Sequence, residues 1–208
     1  MHSLAVAAVL ATMLAAVPAL ALAQQRLPTI PPAQYDDEQK KAAEEFLAAR
    51  KAPVFGPFEP MMHSPQVMSL ARATGDHLRY HSSIGNTLSE LVILITAREW
   101  SQDFEWSVHY PIALKAGIAR DIADAIGDGR RPTGMSADED IIYDFATELL
   151  RTKRVSDPTY ARAQQRFGNK GIVDITGICG YYSFLAMQLN VARYPVPADA
   201  PKLSRFPN

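Results

Sequence analysis

A chain of 208 residues is long enough for one domain with a substantial core. Its 48% hydrophobic and 21% charged residues are ordinary for a globular protein and argue against disorder. With a formal net charge of −1 and no long run of one sign, it offers no electrostatic footprint for nucleic acid or an anionic membrane.

Residues 4–23, LAVAAVLATMLAAVPALALA, form an apolar run ending in Ala21-Leu22-Ala23, the small-x-small pattern of a signal-peptidase site. The expectation is a cleaved secretory signal over 1–23, giving a periplasmic or secreted protein with no stable membrane insertion. The alternative is a retained anchor. Pro18 and the polar QQR after Ala23 favour cleavage, whereas the leading MHS lacks the usual Lys or Arg. No other segment reads as long enough to span a membrane.

Residues 24–60 are proline-rich around one helical stretch, Asp36 to Lys51, and read as a surface-running arm. The helical domain is expected over 61–195, with a tail over 196–208. Ser64-Pro65 supplies an N-cap and a first-position proline for a helix reaching about His81. Leu88, Leu91, Val92 and Ile95 keep helical spacing, so TLSELVILITAREW predicts a buried helix with Glu90 near its start. Residues 103–116 continue helically to Gly117, and ARDIADAIG predicts a short helix closed by Gly127. Ser136 and Glu139 form a capping box ahead of the apolar face Ile141, Ile142, Phe145, Leu149 and Leu150. Asp157-Pro158 starts a helix ending near Gly168, and a last one, apolar almost all round, runs from about Lys170 to Ala192. No strand alternation and no Asn-Gly hairpin signal occurs, so the fold class is all-α. Cys179 is the single thiol, which leaves no internal disulfide; its apolar setting reads as packing rather than as a catalytic thiolate.

Three ionisable groups converge on one region. Glu105 and His109 are four residues apart and share a helix face, and Glu90 sits in the apolar helix immediately before. A carboxylate drawn into an apolar face needs a partner, and burial raises its pKa toward the range where proton transfer is efficient. The bland reading is a solvated Glu–His pair, with Glu90 favoured by the helix dipole.

The stretch ELVILITAREWSQDFEWSVHYPIALKAGI resembles the carboxymuconolactone decarboxylase family, which includes the AhpD-like alkylhydroperoxidases. The matching frame is Glu90, then Glu105-Trp106-x-x-His109, then Ala113-Leu114-x-Ala116-Gly117, with GYYSFLAMQLN near residues 180–190 resembling the last helix. The likeness covers about residues 55–195. It implies a helical bundle that assembles as a homotrimer or homohexamer, acts on a small molecule and uses no cofactor. The peroxidase branch carries a Cys-x-x-Cys pair ahead of the histidine; here those positions are Gln102 and Glu105, so thiol peroxidase chemistry is unavailable. The decarboxylase branch resembles this chain in having glutamate four before the histidine.

The resemblance implies a cofactor-independent lyase acting on a carboxylated lactone or enolisable acid, with His109, Glu105 and Glu90 catalytic. Glu105 would orient His109, Glu90 would be the second proton carrier, and His109 would stabilise a dienolate or donate a proton. An exported relative is expected to act on something other than an intracellular intermediate of aromatic catabolism. Arg98, two turns after Glu90, is a candidate for the substrate carboxylate, or else a surface arginine. Phe104, Trp106, Tyr110, Tyr181 and Tyr182 can wall an apolar pocket or serve as plain packing. His77 and His81 are four apart and could ligate a metal with Asp76 or Glu90, or line the substrate site, or face solvent. A metal-dependent lyase or hydrolase, and a non-enzymatic periplasmic binding or assembly protein, are the alternatives.

Overall fold

The computed structural model describes residues 25–201 and Leu203; the predicted signal, 1–23, lies outside the described residues. Asp36 and Gln39 close a reciprocal capping box, opening α1 (Asp37–Arg50). After the single turn α2 (Phe58–Met61), Pro65 occupies the first position of α3 (Pro65–Tyr80). α4 (Gly85–Glu99) and α5 (Asp103–Lys115) are joined by Trp100, Ser101 and Gln102, and α6 (Arg120–Gly127) ends at the predicted glycine. The Ser136–Glu139 box opens α7 (Ala137–Thr152), whose Ile142 and Phe145 are buried. α8 (Asp157–Ala192) completes the bundle, and no strand occurs among the described residues.

Every residue from Leu88 to Arg98 is buried, which makes α4 the axis of the molecule. A helix apolar on all sides must be enclosed, and α5, α7 and α8 enclose this one. Thr87 Oγ1 donates to Ala116 O at 2.6 Å, pinning the start of α4 to the end of α5.

The two helices predicted to either side of Gly168 are both present, adjoining within α8 across a kink where Gly168 takes φ 66° and ψ −179°, a conformation that side chains forbid. α8 has the length and composition of a membrane span. Its most apolar stretch is nevertheless half buried, and it packs on α2, α3, α4 and α7.

The arm does more than run over the surface. Phe46 is fully buried, edge-on to Phe55 at 5.7 Å and Phe58 at 5.0 Å, and joins the main core with Ala42, Met61 and Met62. Burying one such phenylalanine contributes about 1.5–3 kcal/mol, enough to tie an arm down. Beyond α8, Leu203 is buried, and its N–H donates to Asp103 Oδ1 at 3.1 Å.

Candidate active site

The short turn after α4 folds α5 back along it and brings His109 against Glu90. His109 Nδ1 lies 2.7 Å from Glu90 Oε2, with Glu90 wholly buried and His109 3% exposed. A carboxylate offers only acceptors, so this bond places a proton on Nδ1 and turns Nε2 to the other side of the ring. There Glu105 Oε2 stands 3.6 Å from Nε2, within ion-pair reach but too far for a hydrogen bond. Tyr182 meets the imidazole edge-on at 5.1 Å and stands edge-on to Tyr181 at 5.3 Å.

The two glutamates are therefore unequal. Burial pushes the Glu105 carboxyl above its ordinary value, and the neighbouring Glu90 adds to the rise; His109 and Arg79 offset it only in part. Glu105 Oε1 is buried with no hydrogen-bond partner among the described residues. Spacing along one helix suggested Glu105 as the residue that orients His109. The structure instead gives the hydrogen-bonded position to Glu90. Side chains four apart on a helix project alongside each other, whereas a residue on the facing helix meets the ring nitrogen head-on.

These groups face a cavity of about 40 Å³. Glu105, His109, Tyr181 and Tyr182 line one side, Phe104 another, and the arm roofs it with Arg50, Phe55, Pro57 and Phe58. That volume admits a few waters and is smaller than a ring-sized ligand. Larger surface grooves of about 400 Å³, between α1 and α3 and along α7, contain no histidine.

Gly75 keeps this cavity in shape. A methyl group there would stand 2.2 Å from Tyr181 Oη, and the tyrosine, 8% exposed, has little room to retreat. Gly75→Ala is expected to destabilise the chain by about 1–3 kcal/mol through overpacking, read by urea denaturation. It should also weaken any ligand that enters beside Tyr181.

Of the residues expected to bind substrate or wall its pocket, Phe104, Tyr181 and Tyr182 reach the cavity, and Arg98, Trp106, Tyr110 and His81 do not. Arg98 is buried but borders a separate, smaller space with Ile126, Tyr143 and Thr147. Eight residues advance a helix two turns plus about 80°, enough to aim Arg98 at a different neighbour from Glu90. Trp106 follows Glu105 by one residue, about 100° further round, and packs on α6, where a Cβ on Gly127 would touch its ring at 2.9 Å. Tyr110 donates to Asp124 at 2.5 Å near the surface. His81 caps α3 in an exposed position, its ring 6.3 Å from that of the exposed His77. Asp76 is committed to Arg50 and Arg72, and Glu90 to His109, so the proposed metal ligands point elsewhere. No group of three His, Cys, Asp or Glu among the described residues is placed to hold a metal ion. Cys179 is 1% exposed, and burial pushes its thiol up to about 12, the opposite of an activated thiolate.

Sequence reasoning missed Arg79. Its Nε is 3.7 Å from Glu90 Oε1, and it lines the cavity beside Gly75. The available signal was its place on α3, four residues after Gly75, bordering the stripe Met68, Ala71, Gly75 and Leu78 that packs inward.

No protein-family model and no curated protein matches the sequence. Solved structures do match in shape. One is an alkylhydroperoxidase AhpD core, an uncharacterised peroxidase-related protein from Ralstonia eutropha JMP134. Its TM-score is 0.68 at 14% identity, over 84% of this chain and 93% of that one. Another is a variant of the debrominase Bmp8 in complex with 2,3,4-tribromopyrrole, with TM-score 0.66 at 10% identity over 85% of this chain and 94% of that one. The fold is thus that of the AhpD-like helical proteins, and identities this low speak for the fold alone.

Proposed function

We propose that the chain is a cofactor-independent enzyme that moves protons on a small carboxylated lactone or enolisable acid, in the manner of a decarboxylating lyase. The observation that carries this reading is a histidine fixed between two buried carboxyl groups, one bonded to Nδ1 and the other facing Nε2. A non-enzymatic binding protein has no need to bury such a cluster at the wall of a cavity.

On a γ-carboxylated unsaturated lactone, the bond to the carboxylate carbon breaks and its electron pair moves into the conjugated carbonyl. Carbon dioxide leaves and a dienolate remains. Glu105, whose pKa burial raises, delivers its proton to carbon. Solvent resupplies the one proton that each turnover consumes: it enters at His109 Nε2 and passes to Glu105 once the 3.6 Å gap between them closes, while Glu90, bonded to Nδ1, holds the ring in place. Redox chemistry like that of thiol peroxidases has no support here, since the one thiol is buried and lies outside this cluster. The bromopyrrole of the second similar structure is a flat five-membered ring, the footprint of a five-membered lactone.

The test is incubation of the purified chain with unsaturated lactone acids and enolisable acids in deuterium oxide. Deuterium on carbon, with carbon dioxide released from the γ-carboxylated members, is the expected result. Absence of both across the series overturns the proposal.

A further inference from the structure

The proton-transfer scheme leaves two cavity-lining cations, Arg50 and Arg79, without a task. The Arg50 side chain, from the last residue of α1, is 9% exposed, and its Nε lies 2.6 Å from Asp76 Oδ1. Asp76 also takes Arg72 at 2.6 Å, so two guanidinium groups share a single carboxylate. Arg79 stands 3.7 Å from Glu90, whose other oxygen is engaged by His109 at 2.7 Å. The guanidinium carbons of Arg50 and Arg79 lie 5.5 Å and 5.4 Å from the centroid of the same Tyr80 ring. Among the cavity-lining side chains, the two guanidinium groups of Arg50 and Arg79 stand against one carboxyl, that of Glu105.

Both guanidinium groups border the one cavity, so an anion inside it faces two positive charges rather than one. A carboxylate is the anion whose paired oxygens match their forked donors. We propose that Arg50 and Arg79 form the receptor for the carboxylate of a flat, singly charged acid, whose apolar part lies among Phe55, Phe58 and Tyr182. Asp76 keeps Arg72 as a partner when Arg50 turns to the acid, so no buried carboxylate is stranded. Because Arg50 and the two phenylalanines belong to the arm, the arm is part of the binding site rather than an appendage. The receptor rests on the proton-transfer reading only for which end of the acid reacts.

Titration calorimetry of the purified chain, at neutral pH and low salt, with benzoate and 2-furoate against benzamide and 2-furamide separates the two ideas. The carboxylates are expected to bind at least about tenfold tighter than the amides. Arg50→Met and Arg79→Met should each bring that ratio toward one while changing amide affinity less than about twofold. Arg79→Lys, which keeps the charge and loses the fork, should retain an intermediate preference. Equal affinities in the unmodified chain, no carboxylate binding at millimolar concentration, or an undiminished ratio in both methionine variants would overturn the receptor. The comparison within the unmodified chain stands even where a variant fails to fold. A clear preference for carboxylates without deuterium incorporation into any acid supports the receptor and sinks the proton-transfer reading.

Discussion

His109→Ala is expected to lower turnover by about 10²–10⁴-fold, the range that a positioned general acid–base group supplies. It should also cost stability, because Glu90 is wholly buried and loses its 2.7 Å partner, keeping only Arg79 at 3.7 Å. Breaking one side of a buried charged pair costs about 3–5 kcal/mol, and the remaining arginine argues for the lower end. Glu90→Gln separates the two effects: it keeps the shape, removes the buried charge and leaves Nδ1 with a weaker acceptor. Its folding stability should stay close to the unmodified value while turnover falls by at least about tenfold. The rates are read on whichever acid gains deuterium, and the stabilities by urea denaturation. Full activity in both variants would end the acid–base assignment.

The second large effect concerns Glu105, and here loss of function should bring gain of stability. Burial raises its folded-state pKa above the ordinary 4.5 of an unfolded glutamate, so the native chain holds this proton when the unfolded chain has released it. Protons bound in excess by the native state make stability fall as pH rises from about 4.5 through the folded value, and the deficit is complete above it. Glu105→Gln removes that slope. At pH 8 it should raise Tm above that of the unmodified chain, while turnover drops at least about 100-fold. Thermal melts of both proteins at pH 5 and pH 8 decide the matter. A lower Tm for the variant at pH 8, or an unchanged pH slope, would show that burial does not raise the Glu105 pKa. A destabilising group retained in a cavity wall is what a strained catalytic site entails.

The arm changes the way the site works as well as its outline. The sequence placed α1 correctly, as a helical stretch from Asp36 to Lys51, without its Asp36–Gln39 capping box. That Phe46, Phe55 and Phe58 cluster with one another, and that Arg50 reaches Asp76 on α3, depends on how a proline-rich segment crosses another helix. Proline and glycine mark where a chain turns without saying what it will cover. The arm thereby supplies part of the wall of a cavity of about 40 Å³.

By itself the sequence determined the all-α class, most helix starts and ends, and the sharing of one face by Glu105 and His109. It also determined that no second thiol exists. These are local matters: caps, prolines and a four-residue interval act through the nearest turn of backbone. Tertiary structure alone decided that Glu90, and not Glu105, bonds to Nδ1, that Arg79 and Arg50 border the cavity, and that Arg98, Trp106 and His81 face elsewhere. The reason lies largely in α4, buried at every residue from Leu88 to Arg98. A helix with no polar side carries no record in its pattern of which neighbour each residue will meet, so direction comes only from the helices packed around it.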